Sequence, residues 1–299
     1  MPDSLSSRVS SDFKRARFKA FFNNIRSILS GQPTTLLSYD EVREKLCIGG
    51  PIYRGVETVD IKKIVGSLNR YHEFDRAFLP KQDNTSQRWQ RVNRAFYDEI
   101  SLPAIVLYKV GDVYFVVDGH HRVSVAREQG QLFIDAVIRE CATKVSITAD
   151  LRPEDLEILG QKVNFLERTK LDRIRPQANI KLTIPDGFSR MLEHIAVHRY
   201  FMGLDLKRDI PEEEAVAHWY DTVYLPIVEV IRERDILKNF PEKTEGDLYL
   251  WTLDRQHYLA QQEELPLLPP DAAARDFIEH KDDSTAKRST VFPSGGNNA

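Results

Sequence analysis

The chain has few of the features that announce common chemistries. Its 2 cysteines, Cys47 and Cys141, fit no metal-ligand spacing. So low a count fits a reducing compartment, and each thiol is expected to be a plain buried residue. No apolar run approaches the ~20 residues a membrane-spanning helix needs, and no signal-peptide apolar segment stands near the start. A soluble, cytoplasmic protein with no membrane partner is therefore expected. There is no Gly-rich loop of the Walker type, so any use of a nucleotide must rest on another element. Charge of either sign is not in excess: 42 Lys and Arg against 45 Asp and Glu give a net −3. That balance argues against a protein that coats nucleic acid. No internal repeat is visible.

What is present is a real core-forming fraction, 41% apolar over 299 residues, enough for one large or two modest domains. The most informative stretch is Val113–Gly130, V-Y-F-V-V-D-G-H-H-R-V-S-V-A-R-E-Q-G. Val113–Val117 is a short apolar run rich in β-branched and aromatic residues, the pattern of a buried strand. Asp118-Gly119 reads as a tight turn. Val123 and Ala126 then recur at helical spacing as far as a Gly130 stop. A strand that turns directly into a helix aims the free N–H groups of the first helical turn at the space beyond the strand. Those groups and the helix dipole favour an anion, above all a phosphate. Gly119 would let a ligand approach the backbone, and Arg122 can fork onto a phosphate. His120 and His121 can donate hydrogen bonds or move protons, and Asp118 can hold a metal ion or act as a base.

Asp118–Arg122 resembles the signature of the ParB/sulfiredoxin superfamily. ParB proteins carry Gly-Glu-Arg-Arg at this turn and sulfiredoxins Gly-Cys-His-Arg, where this chain has Gly119-His120-His121-Arg122. The Asp-Gly-His-His-Arg form of free-serine kinases of the same fold is reproduced completely. The resemblance covers roughly 53–139. His120 in place of the reactive Cys argues against sulfinic acid reduction, and the missing Glu-Arg pair against ParB-style use of a cytidine nucleotide. The fold so implied is α+β: a ParB/sulfiredoxin-like mixed sheet with helices, followed by a helical C-terminal domain. The site residues implied are Asp118, His120, His121 and Glu57 for catalysis. Gly119, His120, His121, Arg122 and Ser124 are implied for ligand binding, with Asp118 on Mg²⁺. The ligand would be ATP, ADP or CTP.

The rest of the chain reads in order. Residues 1–11 are Ser-rich and expected to fray. Asp12–Ser30 reads as an amphipathic helix with Phe18, Phe21, Phe22, Ile25 and Leu29 as its packing stripe, and Ser38–Leu46 as a helix with a capping box at Ser38 and Glu41. Arg54–Asp60 looks like the first strand, Asn84–Ile100 a helix whose Arg88, Arg91 and Arg94 are within reach of a phosphate, and Pro103–Lys109 a strand. Gly111-Asp112 is a hairpin turn. Phe133–Glu140 and Lys144–Thr148 are expected to close the sheet. The organisation expected is a helical arm over 1–50, the superfamily-like domain over 51–150, a helical domain over 151–263 and a largely disordered tail over 264–299 with a helix near Asp271–His280.

In the helical part, His194 and His198 share a helix face, but no third metal ligand is evident. Pro211–Leu237 reads as one long helix kinked at Pro226. Phe240–Trp251 resembles an uncharacterised domain of bacterial proteins found beside nucleotide-using modules. Two functions compete on the sequence. The favoured one is nucleotide binding with phosphoryl transfer or hydrolysis on a small-molecule or protein substrate, in a monomer or homodimer. The other is a DNA-binding transcriptional or partitioning regulator that uses a nucleotide as a switch. Leu156–Arg175 is the best candidate for its helix-turn-helix, and an unconvincing one.

Overall fold

The computed structural model describes residues 2–30, 35–262 and 268–279 and divides into two units, Met1–Val163 and Asn164–Ala299. Unit 1 is built on a six-stranded mixed sheet. Its strands are β1 (Leu37–Ser38), β2 (Ile52–Asp60), β3 (Ile64–Ser67), β4 (Ile105–Val110), β5 (Val113–Asp118) and β6 (Phe133–Cys141). They lie in the order β1-β3-β5-β4-β6-β2. Gly111, at φ 58°, turns β4 into β5 as an antiparallel hairpin. The apolar run of the central strand then feeds α4 (His120–Glu128), which leads to β6 parallel to β4. The fold class is α+β with a mixed sheet and a helical C-terminal part, as the sequence implies.

Val123 of α4 packs into a core with Val116, Leu107, Ile105, Ile138 and Phe74. On its other side Val125 meets Trp89 of α3 (Ser86–Tyr97) and Phe13, Ala16 and Ala20 of α1 (Pro2–Ser30). Helix α4 is thus covered on both sides, which is why its sequence is apolar at neighbouring positions rather than along one stripe.

Several expectations are corrected. Helix α1 starts at Pro2, so most of the stretch expected to fray is helical. Its buried stripe is Val9, Phe13, Ala16 and Ala20, and the predicted stripe points outward, with Phe18 62%, Phe21 59% and Phe22 52% exposed; the side chain of Leu29 lies outside the described residues. The reason is a polar one. Asp12, 4% exposed, accepts from Tyr97 Oη at 2.7 Å, Asn93 Nδ2 at 3.0 Å and Arg15 at 3.0 Å. Turning the phenylalanines inward would strip a carboxylate of those donors, which costs more than exposing aromatic surface. Helix α1 also belongs to unit 1 rather than standing apart as an arm.

Lys144–Thr148 is not a strand. Val145 and Ile147 are buried in strand-like alternation, but the segment meets the hairpin turn through Asp112 N to Ile147 O, 3.3 Å, without joining the sheet. Strands β1 and β3 were not foreseen; Gly66 lets β3 pass against Phe115 and the Leu37 carbonyl. Cys141 is buried as expected and lies 3.3 Å from Tyr39 Oη, while Cys47 is exposed.

Unit 2 is helical: α7 (Gly187–Leu206), α8 (Glu212–Trp219), α9 (Leu225–Glu233), α10 (Glu245–Gln262) and α11 (Pro270–Glu279) carry it. The long helix expected over 211–237 is interrupted by a π-helical turn, Tyr220–Tyr224, directly before Pro226, which re-seats the carbonyls that a proline leaves without a donor. Thr244 and Asp247 cap α10 reciprocally: Thr244 N donates to Asp247 Oδ2 at 2.8 Å and Asp247 N to Thr244 Oγ1 at 3.2 Å. Helix α11, Pro270–Glu279, covers the helix expected near Asp271–His280 as far as Glu279, and 264–267 and 280–299 of the expected tail lie outside the described residues.

A Cβ built on Gly66 would stand 2.4 Å from Phe115 Cδ1 and 2.5 Å from Leu37 O. Gly66→Ala is therefore expected to cost ~1–3 kcal/mol by overpacking, read as a lower urea midpoint at unchanged m-value.

Candidate functional site

The predicted strand–turn–helix is present. Gly119 caps α4 at φ 100°, a left-handed conformation that only glycine adopts freely. A Cβ there would meet Ile105 Cγ2 at 2.4 Å. The side of Gly119 expected to admit a ligand is thus filled by β4, and the glycine is required for packing and for backbone angle.

His120 and His121 open the helix, and both are 6% exposed. His120 Nε2 is 2.7 Å from Ser67 Oγ at the end of β3, and the same oxygen accepts from Arg70 N at 3.2 Å. His120 stacks on Phe74 with centroids 6.2 Å apart, and His121 stands edge-on to the same ring at 5.4 Å. His121 Nδ1 is buried with no hydrogen-bond partner. Burial, then Arg70 and the neighbouring His121, holds His120 at about 4. Burial, then Arg88 and Arg70, holds His121 at about 4. Both imidazoles are neutral at pH 7.

Two cations therefore act on the start of α4 from separate segments. Arg70, from the loop after β3, is 3.3 Å from Glu73. Arg88, on the first turn of α3, is exposed and makes no ion pair among the described residues. The loop that carries Arg70 is fastened by Arg127 of α4. Its guanidinium donates to the carbonyls of Ile61 (2.8 Å), Ile64 (2.7 Å) and Arg76 (3.1 Å) and lies 4.9 Å above the Phe78 ring. Burial lowers its pKa to about 10, and it stays charged at neutral pH.

The other predicted residues are placed differently. Arg122 does not face this space: it donates to Asp118 Oδ2 at 2.6 Å, to the Ala104 carbonyl at 3.1 Å and to the Pro103 carbonyl. It borders a separate cleft of about 420 Å³ shared with Phe96, Ile100, Thr58 and Asp135. Asp118 is the exposed partner of that pair, 64% against 15% for Arg122. Ser124 is fully buried and accepts from Trp89 Nε1 at 2.9 Å, so it joins α4 to α3 and offers nothing to a ligand. Glu57 is exposed on the edge strand β2, paired with Ala136. Strands β6 and β4 separate it from β5, about 14 Å at the usual strand spacing. The structure does not bring it to the turn.

Arg94 is turned toward α1, on Ser6 Oγ at 2.5 Å. Ser67 and Arg70 were missed. The available signal was positional: β3 runs parallel beside β5, Ser67 in register with Val116, so both strands end on the same side. In unit 2, His194 meets Tyr249 Oη at 3.2 Å and His198 meets His218 at 2.8 Å. The two do not converge, and among the described residues no group of three or more His, Cys, Asp or Glu is placed to hold a metal.

No family model matches the chain, and no curated protein matches it. It is distantly similar to a solved Pnob8-like ParB-N domain, at 11% identity over 82% of this chain and 87% of that one, with a TM-score of 0.21. A likeness at that level carries no functional reading to this chain. No described helix is long and apolar enough to cross a membrane.

Two histidines held at about 4 in the fold and near 6.5 when unfolded bind protons more readily in the unfolded chain. Stability is therefore expected to be complete above about pH 6.5 and to fall as pH drops toward 4. Imidazole resonances followed by NMR will show His120 and His121 still neutral at pH 5, as will His194 of unit 2, which burial likewise holds at about 4. Ordinary titration of both near 6.5 would mean that they reach water.

Proposed function

We propose that unit 1 binds a phosphate-bearing ligand, a nucleotide, at the start of α4. The observation that carries this reading is the Nδ1 atom of His121, which is buried and without a partner. It stands at a helix N-terminus, with Arg88 and Arg70 as its charged neighbours. A buried polar atom left unsatisfied costs ~1–3 kcal/mol, and a phosphate oxygen would satisfy it together with the backbone N–H groups of the first turn. The resemblance of Asp118–Arg122 to the superfamily motif points to the same turn. In this reading Arg88 and Arg70 take the phosphate charge that the sequence had given to Arg122. Asp118 and Arg122 hold the turn in shape.

The finer reading is phosphoryl transfer or hydrolysis. A neutral imidazole can accept a proton from a hydroxyl or water attacking the phosphate, and His121 is neutral. The residues do not by themselves form a magnesium site: Asp118 is a single carboxylate already bound to Arg122, and Glu57 is remote. A DNA-reading function gains nothing from the geometry. After α5 (Asp155–Thr169) comes α6, Leu171–Ile174, a single turn of 4 residues, too short to lie along a major groove as a recognition helix does.

A thermal-shift panel of ATP, ADP and CTP, each with and without Mg²⁺, tests the reading. At a hundredfold excess over Kd a bound nucleotide stabilises the fold by ~2.7 kcal/mol. The wild type is expected to shift, and Arg88→Ala, on an exposed position, to shift less at the same concentration. A wild type that no nucleotide moves would refute the proposal. An equal shift in both proteins would place the ligand elsewhere.

A further inference from the structure

Helix α1 has two apolar faces, and only one is buried. Val9, Phe13, Ala16 and Ala20 lie in the interior of unit 1, and on the same side Asn23 Nδ2 donates to Asp75 Oδ2 at 3.3 Å. These anchors fix the rotation of the helix. Phe18, Phe21, Phe22 and Ile25 recur at i, i+3, i+4 and i+7 on the opposite side. All four are exposed, Ile25 least, at 39%. The rings lean on one another: the centroids of Phe18 and Phe22 are 4.5 Å apart, and Phe21 meets Phe22 edge-on at 6.1 Å. A continuous apolar wedge of this kind is a contact surface, unlike apolar residues exposed singly.

Charge is arranged around the wedge. From Phe13 to Ser30 the sequence has Lys14, Arg15, Arg17, Lys19 and Arg26 and no Asp or Glu, in a chain whose acids outnumber its bases by 45 to 42. Arg15 and Lys19 are held by Glu128, and Arg17 by Asp83. Lys14 and Arg26 are exposed and make no ion pair among the described residues. Lys14 stands one turn before Phe18 and Arg26 one turn after Phe22, so the two bracket the wedge. Lys81 is a third such cation, exposed on a groove that it shares with Lys14, Phe18 and Phe21.

An apolar wedge bracketed by uncommitted cations complements a partner that is oily inside and anionic at its surface. Single-stranded nucleic acid would need ring faces open for stacking. Here the rings stand at 57° and 88° to their neighbours and cover one another. No described helix is long and apolar enough to span a bilayer, and none is required. An interfacial helix lies along the headgroup layer with its apolar side sunk about 5–10 Å.

We infer that unit 1 docks reversibly on an anionic lipid surface, with Phe18, Phe21, Phe22 and Ile25 in the apolar layer and Lys14, Arg26 and Lys81 on lipid phosphates. The inference does not rest on the ligand reading of α4.

Flotation of the full chain with vesicles tests it. Vesicles of phosphatidylcholine and phosphatidylglycerol in equal parts are expected to carry the wild type up a density gradient, and vesicles of phosphatidylcholine alone to leave it behind. Raising the salt concentration weakens the binding. Phe18→Ser combined with Phe22→Ser keeps every charge and is expected to abolish flotation. Lys14→Ala, Arg26→Ala and Lys81→Ala are each expected to weaken binding about fivefold. The substituted positions are exposed, and an unchanged near-UV circular dichroism spectrum verifies each fold. A wild type that anionic vesicles do not carry overturns the inference, as does equal flotation on both kinds of vesicle. Full binding by the double serine variant overturns it too, since the contact would then be adsorption by charge alone. Binding of a single-stranded oligonucleotide with vesicles left unbound would show a nucleic-acid face instead.

Discussion

The placement of the candidate site depends on one buried cation. Between Ile61 and Pro80 the chain has only the short β3 and a 3-10 turn as regular structure, so backbone pairing alone does not hold it. Arg127 does. It reaches from the last turn of α4 to three carbonyls at both ends of this segment and covers Phe78. Charged hydrogen bonds to carbonyls in a low-dielectric setting are strong, and they are costly to lose when the charge stays behind. Ser67, Arg70 and Phe74 are carried to the start of the same helix by a residue that never touches the site.

That arrangement separates two tasks which the sequence motif merges. Of the five motif residues, Asp118, Gly119 and Arg122 shape the turn, through an ion pair, a left-handed backbone and two carbonyl contacts. His120 and His121 face inward to Ser67 and Phe74. Positive charge arrives from residues outside the motif. A site of this kind keeps its histidines uncharged by burial, and the arginines beside them add to the same effect.

The central strand, its turn and the helix behind it were legible because the alternation of apolar and turn residues there is dense and local. The hairpin at Gly111 and the cap at Ser38 were legible for the same reason. What was not legible depended on partners remote in sequence. The face of α1 was misread because Asp12 finds its donors on α3, more than eighty residues away, while hydrophobicity alone favours the phenylalanines. Val145 and Ile147 mimic a strand because burial alternates there without a ladder. Ser124 and Glu57 were assigned by position in a motif or a family. The first is consumed by Trp89 and the second stands beyond two strands. Arg70 carries no local mark at all; only the parallel pairing of β3 with β5 brings it forward.

The carboxylate of Asp12 has a consequence for how the protein can be divided. Its donors on α3 sit beside Trp89, and Trp89 in turn holds Ser124 of the helix that begins the candidate site. A fragment starting after α1 would uncover an indole and leave the Asn93 and Tyr97 donors without their acceptor, one layer behind the histidines. The opening helix therefore backs the layer on which the two histidines rest, and a shortened protein should not be expected to hold the same rings in the same place.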